Sequence, residues 1–201
     1  MNQVNKSVNI YEFIKTIQEL KQVLRATFAT SKRKENSAEH SWSVAMIIWF
    51  LSIDLKKEFG QEIDLNRMIK MGLAHDLIEL QIGDTSVWDK ENRLQSEVEE
   101  KRKDIFLSLV KCLPIELRNE LIELKNEFDQ SKTIESKIVK GVDRLSAALQ
   151  RVVTKQGWVN EGHSEQDLDE IQLPKIIFSE VLKSFYNQIK QDSFEQGLLE
   201  R

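Results

Sequence analysis

Asp64-Leu65-Asn66-Arg67-Met68-Ile69-Lys70-Met71-Gly72-Leu73-Ala74-His75-Asp76-Leu77-Ile78-Glu79-Leu80-Gln81-Ile82-Gly83-Asp84 is the stretch whose reading decides the fold. Met68, Met71, His75 and Glu79 recur at helical spacing and share one stripe, with Leu65, Ile69, Leu73, Leu77 and Leu80 packed beside it. Asp64 suits the N-cap, and the Gly83-Asp84 pair ends the segment. The pattern predicts an amphipathic helix with a histidine and two carboxylic acids on or near its apolar side.

The rest of the chain repeats this pattern. Only 2 prolines and 7 glycines interrupt 201 residues, and Leu, Ile, Glu, Lys and Gln favour long helices over a sheet. The expected fold class is all-α, a compact single domain spanning residues 1–201, with a core over about 9–152 and a C-terminal helical extension over about 166–191. Phe13, Ile14, Ile17, Leu20 and Leu24 predict a first helix over about 9–27, followed by a polar loop from Thr30 to Asn36. Ser37 is the expected N-cap of a second helix, in which His40, Val44, Ile48, Leu51 and Leu55 face the interior and Gly60 marks the end. On that helix, core packing is the simplest role for Trp42 and Trp49. A charged helix over about 91–112 comes next, and Pro114 opens another to about 128. Ile138, Val142, Leu145 and Leu149 then form the stripe of a helix over 134–153, with Asp143 beside it. Residues 155–166, with two glycines and His163, predict an exposed loop, and Pro174 is expected to start a terminal helix through about Ile189.

A formal net charge of -4 argues against the basic footprint needed to bind long nucleic acids. The longest apolar run, Val44 to Leu51, is far short of the roughly 20 residues that cross a bilayer, so no membrane partner is expected. The first residues lack the apolar block of a secretion signal, and one cysteine excludes an internal disulfide framework; a cytoplasmic protein is expected, with Cys112 in the core.

Two imidazoles and two carboxylates suggest one divalent metal site and therefore a hydrolase: His40, His75, Asp76 and Asp143. This donor set suits Mn, Fe, Co, Zn or Mg rather than a thiolate-loving ion, and a six-coordinate ion so held keeps two open positions. Each residue alone also has a plain structural reading, a hydrogen-bonded histidine or a solvated aspartate. Their order across three predicted helices changes that weighting.

A histidine, a His-Asp pair and a distant aspartate resemble the motif of the HD-domain metal-dependent phosphohydrolases. The chain is most similar to the 5'-deoxynucleotidase branch: Lys34-Glu35-Asn36-Ser37-Ala38-Glu39-His40 and the run from His75 to Asp84 match its extended motifs, and the resemblance covers about residues 9–152. It implies one divalent ion on His40, His75, Asp76 and Asp143, with Glu79 as general acid/base. Arg25, fifteen positions before His40, would neutralise the phosphate, and Asp84 would lie near the sugar. The implied reaction has a metal-activated water attack the phosphorus of a nucleoside or deoxynucleoside 5'-monophosphate, releasing phosphate and a nucleoside. Arg33 and Lys34 could add positive potential, although a solvated loop is their simpler role. The bacterial deoxynucleotidases carry a sugar-associated tryptophan after that arginine, where this chain has Ala26, so the resemblance does not decide deoxyribose preference. Trp88 could line the pocket or close the core. A homodimer is also implied. The competing readings are a phosphohydrolase for another small phosphoester, a catalytically silent nucleotide-binding regulatory module, and a helical interaction protein without a ligand.

Overall fold

A computed structural model describes residues 3–84 and 95–200, and the side chains of 6–84 and 101–200. Trp88 and the start of the expected helix at 91 lie outside them. Nine α-helices occur among the described residues: α1 (Gln3–Ile17), α2 (Ser37–Phe59), α3 (Leu65–Ala74), α4 (Glu79–Ile82), α5 (Gln95–Val110), α6 (Ile115–Gln130), α7 (Ile134–Thr154), α8 (Glu165–Ile176) and α9 (Glu180–Glu195). The helical expectation holds, with one small addition: β1 (Leu24–Thr30) and β2 (Arg33–Asn36) form an antiparallel hairpin.

The hairpin corrects the reading of 9–27 as one helix. α1 stops at Ile17, a 3-10 turn carries Leu20, and Leu24 opens β1. Helical periodicity could not reveal the change because the strand is held by pairing across a tight turn and by Gln150 of α7. Gln150 on α7 donates its amide to the Phe28 carbonyl at 2.8 Å, and Thr27 donates its hydroxyl to the buried Glu35 carboxylate at 2.7 Å. The tip is closed locally by Thr30, whose hydroxyl accepts from the Arg33 amide at 3.1 Å.

α2 and α7 form the centre of the fold. Val44, Ile48 and Leu55 on one, and Ile138, Val142 and Leu145 on the other, are fully buried in the larger apolar core together with Met68, Met71 and residues of α8 and α9. A smaller core gathers Phe13, Leu20, Leu77, Ile78 and Phe106. The N-cap of α2 is Asn36 rather than Ser37. Its side chain accepts from the Glu39 amide while Glu39 accepts from the Asn36 amide, a reciprocal box that satisfies two helix-terminal donors.

Three further expectations are corrected. Trp42 and Trp49 are 60% and 55% exposed on the outer face of α2, because the inner face is taken by the His40-Val44-Ile48-Leu55 stripe. Cys112 is exposed beyond the end of α5. Pro174 lies in the last turn of α8 instead of opening a helix, since the Ser164–Asp167 capping box has already started α8 ten residues earlier and Ser179 caps a separate α9. Gly141 lets the α8–α9 corner pack close to α7: a Cβ there would lie 2.8 Å from Leu182 Cδ1 and 3.1 Å from the Lys175 carbonyl oxygen. No helix of the described residues is long and apolar enough to cross a membrane.

Candidate metal centre and adjoining cleft

Three helices and the hairpin deliver the site. His40 sits in the first turn of α2, His75 at the C-terminal end of α3, and Asp143 midway along α7. One ligand atom from each falls within 4.8 Å of the others, a group that could hold a metal ion. His40 Nε2 lies 2.9 Å from Asp143 Oδ1, and His75 Nε2 lies 3.8 Å from the same oxygen.

The surroundings orient the two imidazoles. His75 Nδ1 lies 2.8 Å from the Gly72 carbonyl oxygen, and a carbonyl can only accept, so Nδ1 carries the proton and the Nε2 lone pair is free when the ring is neutral. That Nε2 is buried and has no hydrogen-bond partner. A buried, unpartnered nitrogen beside Asp143 fits a divalent cation. His40 Nδ1 faces Glu35 Oε2 at 3.9 Å. Asp76 stands next to the three-residue group, its Oδ1 3.2 Å from His75 Nε2 and its Oδ2 accepting from Arg25 Nη1 at 2.8 Å.

Asp76 and Glu79 occupy a tighter segment than the sequence implied. After α3 the Leu77 amide bonds the Ala74 carbonyl and the Glu79 amide bonds the Asp76 carbonyl at 2.9 Å, both three residues back. At three residues per turn, Glu79 comes onto the side of Asp76 rather than of His75. Glu79 is buried, and Arg102 of α5 donates to its Oε1 at 2.9 Å while Oε2 has no partner. Gly83 follows with φ of 72°, a left-handed conformation natural to glycine. It returns the chain so that Asp84 Oδ1 accepts from Arg25 Nη1 at 3.1 Å.

Charge shapes the proton affinities. Burial alone would lower the pKa of His75, but Asp76 and Asp143 overcome it and raise the metal-free imidazole to about 9. Burial works against ionisation of Asp143, yet its hydrogen bond to His40 and the nearby His75 imidazole hold it well below the ordinary carboxylate range. Glu79 moves the other way: burial raises it, Arg102 opposes the rise, and the Asp76 charge adds to it. The pKa of Arg25 is raised, its burial outweighed by Asp76, Asp84, Asp143 and Glu35.

A cleft beside this centre is lined by Arg25, Ala26 and Asp84, by Asp143 and Arg151 along α7, and by Trp158 and Gln172. The seven residues nominated from sequence thus fall in one region. Arg33 does not join them; it forms a two-pronged ion pair with Glu39 at 3.0 and 2.8 Å on the surface. His163 is half-buried near Glu161, in the segment beyond α7. Sequence reasoning missed Glu35 and Arg102, which support His40 and Glu79, and the far wall of the cleft. Glu35 lay inside a quoted motif, but its burial depends on Thr27 across the hairpin. Nothing local distinguishes Arg102 among the charged residues of α5.

Comparison with known proteins is consistent with this geometry. The HD-domain family profile matches residues 17–181. The 5'-deoxynucleotidase HDDC2 of Dictyostelium discoideum is 31% identical over 147 residues, covering 71% of this chain and 75% of the relative. A 5'-deoxynucleotidase of Klebsiella pneumoniae is 31% identical over 139 residues, covering 68% and 69%. Among solved structures, a predicted metal-dependent phosphohydrolase of Magnetospirillum magnetotacticum superposes with a TM-score of 0.81 at 27% identity, covering 98% of this chain and 100% of the other.

Proposed function

Because this chain belongs to the HD-domain family of metal-dependent phosphohydrolases, we propose that it hydrolyses nucleoside or deoxynucleoside 5'-monophosphates to a nucleoside and phosphate. The observation that carries the reading is the convergence of His40, His75 and Asp143, with the His75 Nε2 lone pair unpartnered, at the head of a cleft that also holds Arg25 and Asp84. The names of the relatives from Dictyostelium and Klebsiella support the nucleotide as substrate.

His40, His75, Asp76 and Asp143 would hold one divalent ion of the Mn, Fe, Co, Zn or Mg type. When bound, such an ion supplies Lewis-acid polarisation of the phosphoryl group and a water acidic enough to act as nucleophile near neutral pH. The chain's own side chains do the rest. Arg25, anchored on Asp76 and Asp84, brings positive charge to the mouth of the site and offsets the phosphate's negative charge. Glu79 keeps its proton at a higher pH than an ordinary carboxylic acid and delivers it to the leaving 5' oxygen. Asp84 accepts a hydrogen bond from a sugar hydroxyl. The core and the C-terminal helices act as one unit, since the cleft takes its walls from both.

For assembly we infer a homodimer. Its support is an outward apolar stripe on α2, where Trp49 and Phe50 stack at 5.8 Å beside exposed Trp42 and Ile53, more apolar surface than a solitary helix usually leaves in water. A lone exposed thiol, Cys112, suits a reducing cytoplasm. The test is phosphate release from a panel of nucleotides and sugar phosphates with Mn, Co, Mg or chelator. Metal-stimulated release from 5'-monophosphates is expected. No release from any nucleotide would overturn the reading, and release only from non-nucleotide esters would replace the substrate.

A further inference from the structure

The cleft does not end at the metal centre. Asp143, Ala147 and Arg151 lie on one face of α7, and all three line it. Eight residues at 1.5 Å each place Arg151 about 12 Å along the helix from Asp143, the reach from a phosphate through a sugar to the far side of a base. Small residues, Ala26 and Ala147, stand along the way. The enclosed part of the cleft is about 80 Å³, and its mouth opens to solvent.

Two polar groups of its wall are buried and unsatisfied. Arg151 is 8% exposed; its Nη2 donates to Glu161 Oε2 at 2.8 Å and its guanidinium lies 5.6 Å from the ring centroid of buried Trp158, while Nη1 has no partner. Gln172, from α8, is 5% exposed and its Oε1 has no partner. A buried donor and a buried acceptor on the same cleft wall, both unpaired, call for a ligand that offers the reverse pattern. The guanidinium has only protons to donate, and the amide oxygen can only accept. A carbonyl beside an N–H supplies both from neighbouring atoms, and the carbonyl oxygen suits a cationic donor better than an uncharged ring nitrogen does.

We propose that Arg151 and Gln172 form a nucleobase-reading subsite that prefers a lactam edge, as in thymine, uracil, hypoxanthine or guanine, over adenine or cytosine. The proposal rests on the nucleotidase reading for its substrate but makes a separate claim about specificity. Arg151 and Gln172 are specificity-determining residues, remote from the bond that breaks.

Two measurements separate the claims. Thymidine and deoxyadenosine are titrated calorimetrically into the metal-free protein, which requires neither metal nor hydrolysis. The ratio of kcat/KM for thymidine 5'-monophosphate to that for 2-deoxyribose 5-phosphate is then measured with metal. We expect tighter binding of thymidine than of deoxyadenosine. In Gln172→Leu, thymidine affinity and the kcat/KM ratio should each fall about tenfold, the change that corresponds to about 1.4 kcal/mol. Arg151→Lys, which keeps the charge and loses the planar fork, should shift both in the same direction and carries the test if Gln172→Leu does not fold. Equal affinity for the two nucleosides, or an unchanged ratio in folded variants, overturns the subsite and leaves the nucleotidase reading standing. Thymidine binding that depends on Gln172, with no hydrolysis of any monophosphate, supports the subsite and overturns the nucleotidase reading.

Discussion

At one end of the cleft Arg25 pairs with Asp76 and Asp84 at 2.8 and 3.1 Å and His40 with Asp143 at 2.9 Å; further along its wall, Arg151 Nη1 and Gln172 Oε1 have no hydrogen-bond partner. The first end is built by interlocked charges that fix geometry before any substrate arrives, which is how a charge-stabilising site avoids reorganisation during reaction, and it leaves only single atoms such as His75 Nε2 and Glu79 Oε2 without a hydrogen-bond partner. The second end presents a donor and an acceptor for something else to satisfy. On the proposed readings, chemistry belongs to the paired end and recognition to the unpaired Arg151 and Gln172 atoms.

The largest effect should come from breaking the paired end. Asp76→Ala removes one proposed ligand and one anchor of Arg25, and should lower turnover on the order of 10³-fold, the upper range for losing one charge-stabilising group. Phosphate release and bound-metal analysis check this, with far-UV circular dichroism confirming the helical fold; wild-type turnover would remove Asp76 from the site. Glu79→Gln comes next, with kcat falling about 10²-fold, the lower range for loss of a general acid. The limb of the pH–rate profile that falls as pH rises should also disappear, because that limb marks loss of the Glu79 proton.

A third prediction separates the ends by pH. The metal-free His75 imidazole is raised to about 9 from an ordinary value of 6.5, so its stabilising contribution is complete below about 6.5 and is lost as pH rises through about 9. The Tm of chelated protein should therefore decline over that window. Added metal should reverse the trend, since it binds the deprotonated ring. A flat Tm in chelator would show that the carboxylates do not hold the His75 proton. The smallest effect should come from the unpaired end: Ser164→Ala removes the cap of α8, the helix that carries Gln172, at a cost of about 1 kcal/mol. It should raise KM for thymidine 5'-monophosphate while leaving metal content unchanged.

Legibility in the sequence followed the same division. His40, His75 and Asp143 could be nominated because each sits at a helical position whose apolar neighbours repeat every three or four residues, and because four metal-binding side chains in that order carry chemistry by their identity. Trp42 and Trp49 were misread for the complementary reason. Size and hydrophobicity suggested a core, but Val44, Ile48 and Leu55 already fill the inner face of α2, leaving the tryptophans outside. Leu24 and Arg25 appeared helical, but the pairing of β1 with β2, supported by Gln150 of α7, makes them a strand.

The residue types and their periodicity determined most of the helices and, with the resemblance to the HD-domain motifs, nominated the ligand set and the acid beside it, since those depend on local propensity and on what each side chain can bind. Tertiary structure alone decided that Arg25 lies on a strand and bridges Asp76 to Asp84, that Glu79 turns onto the side of Asp76, and that Arg151 and Gln172 share one cavity. Apart from the three-residue turn at Glu79, these depend on contacts between residues 51 to 122 positions apart, whose geometry no local pattern encodes.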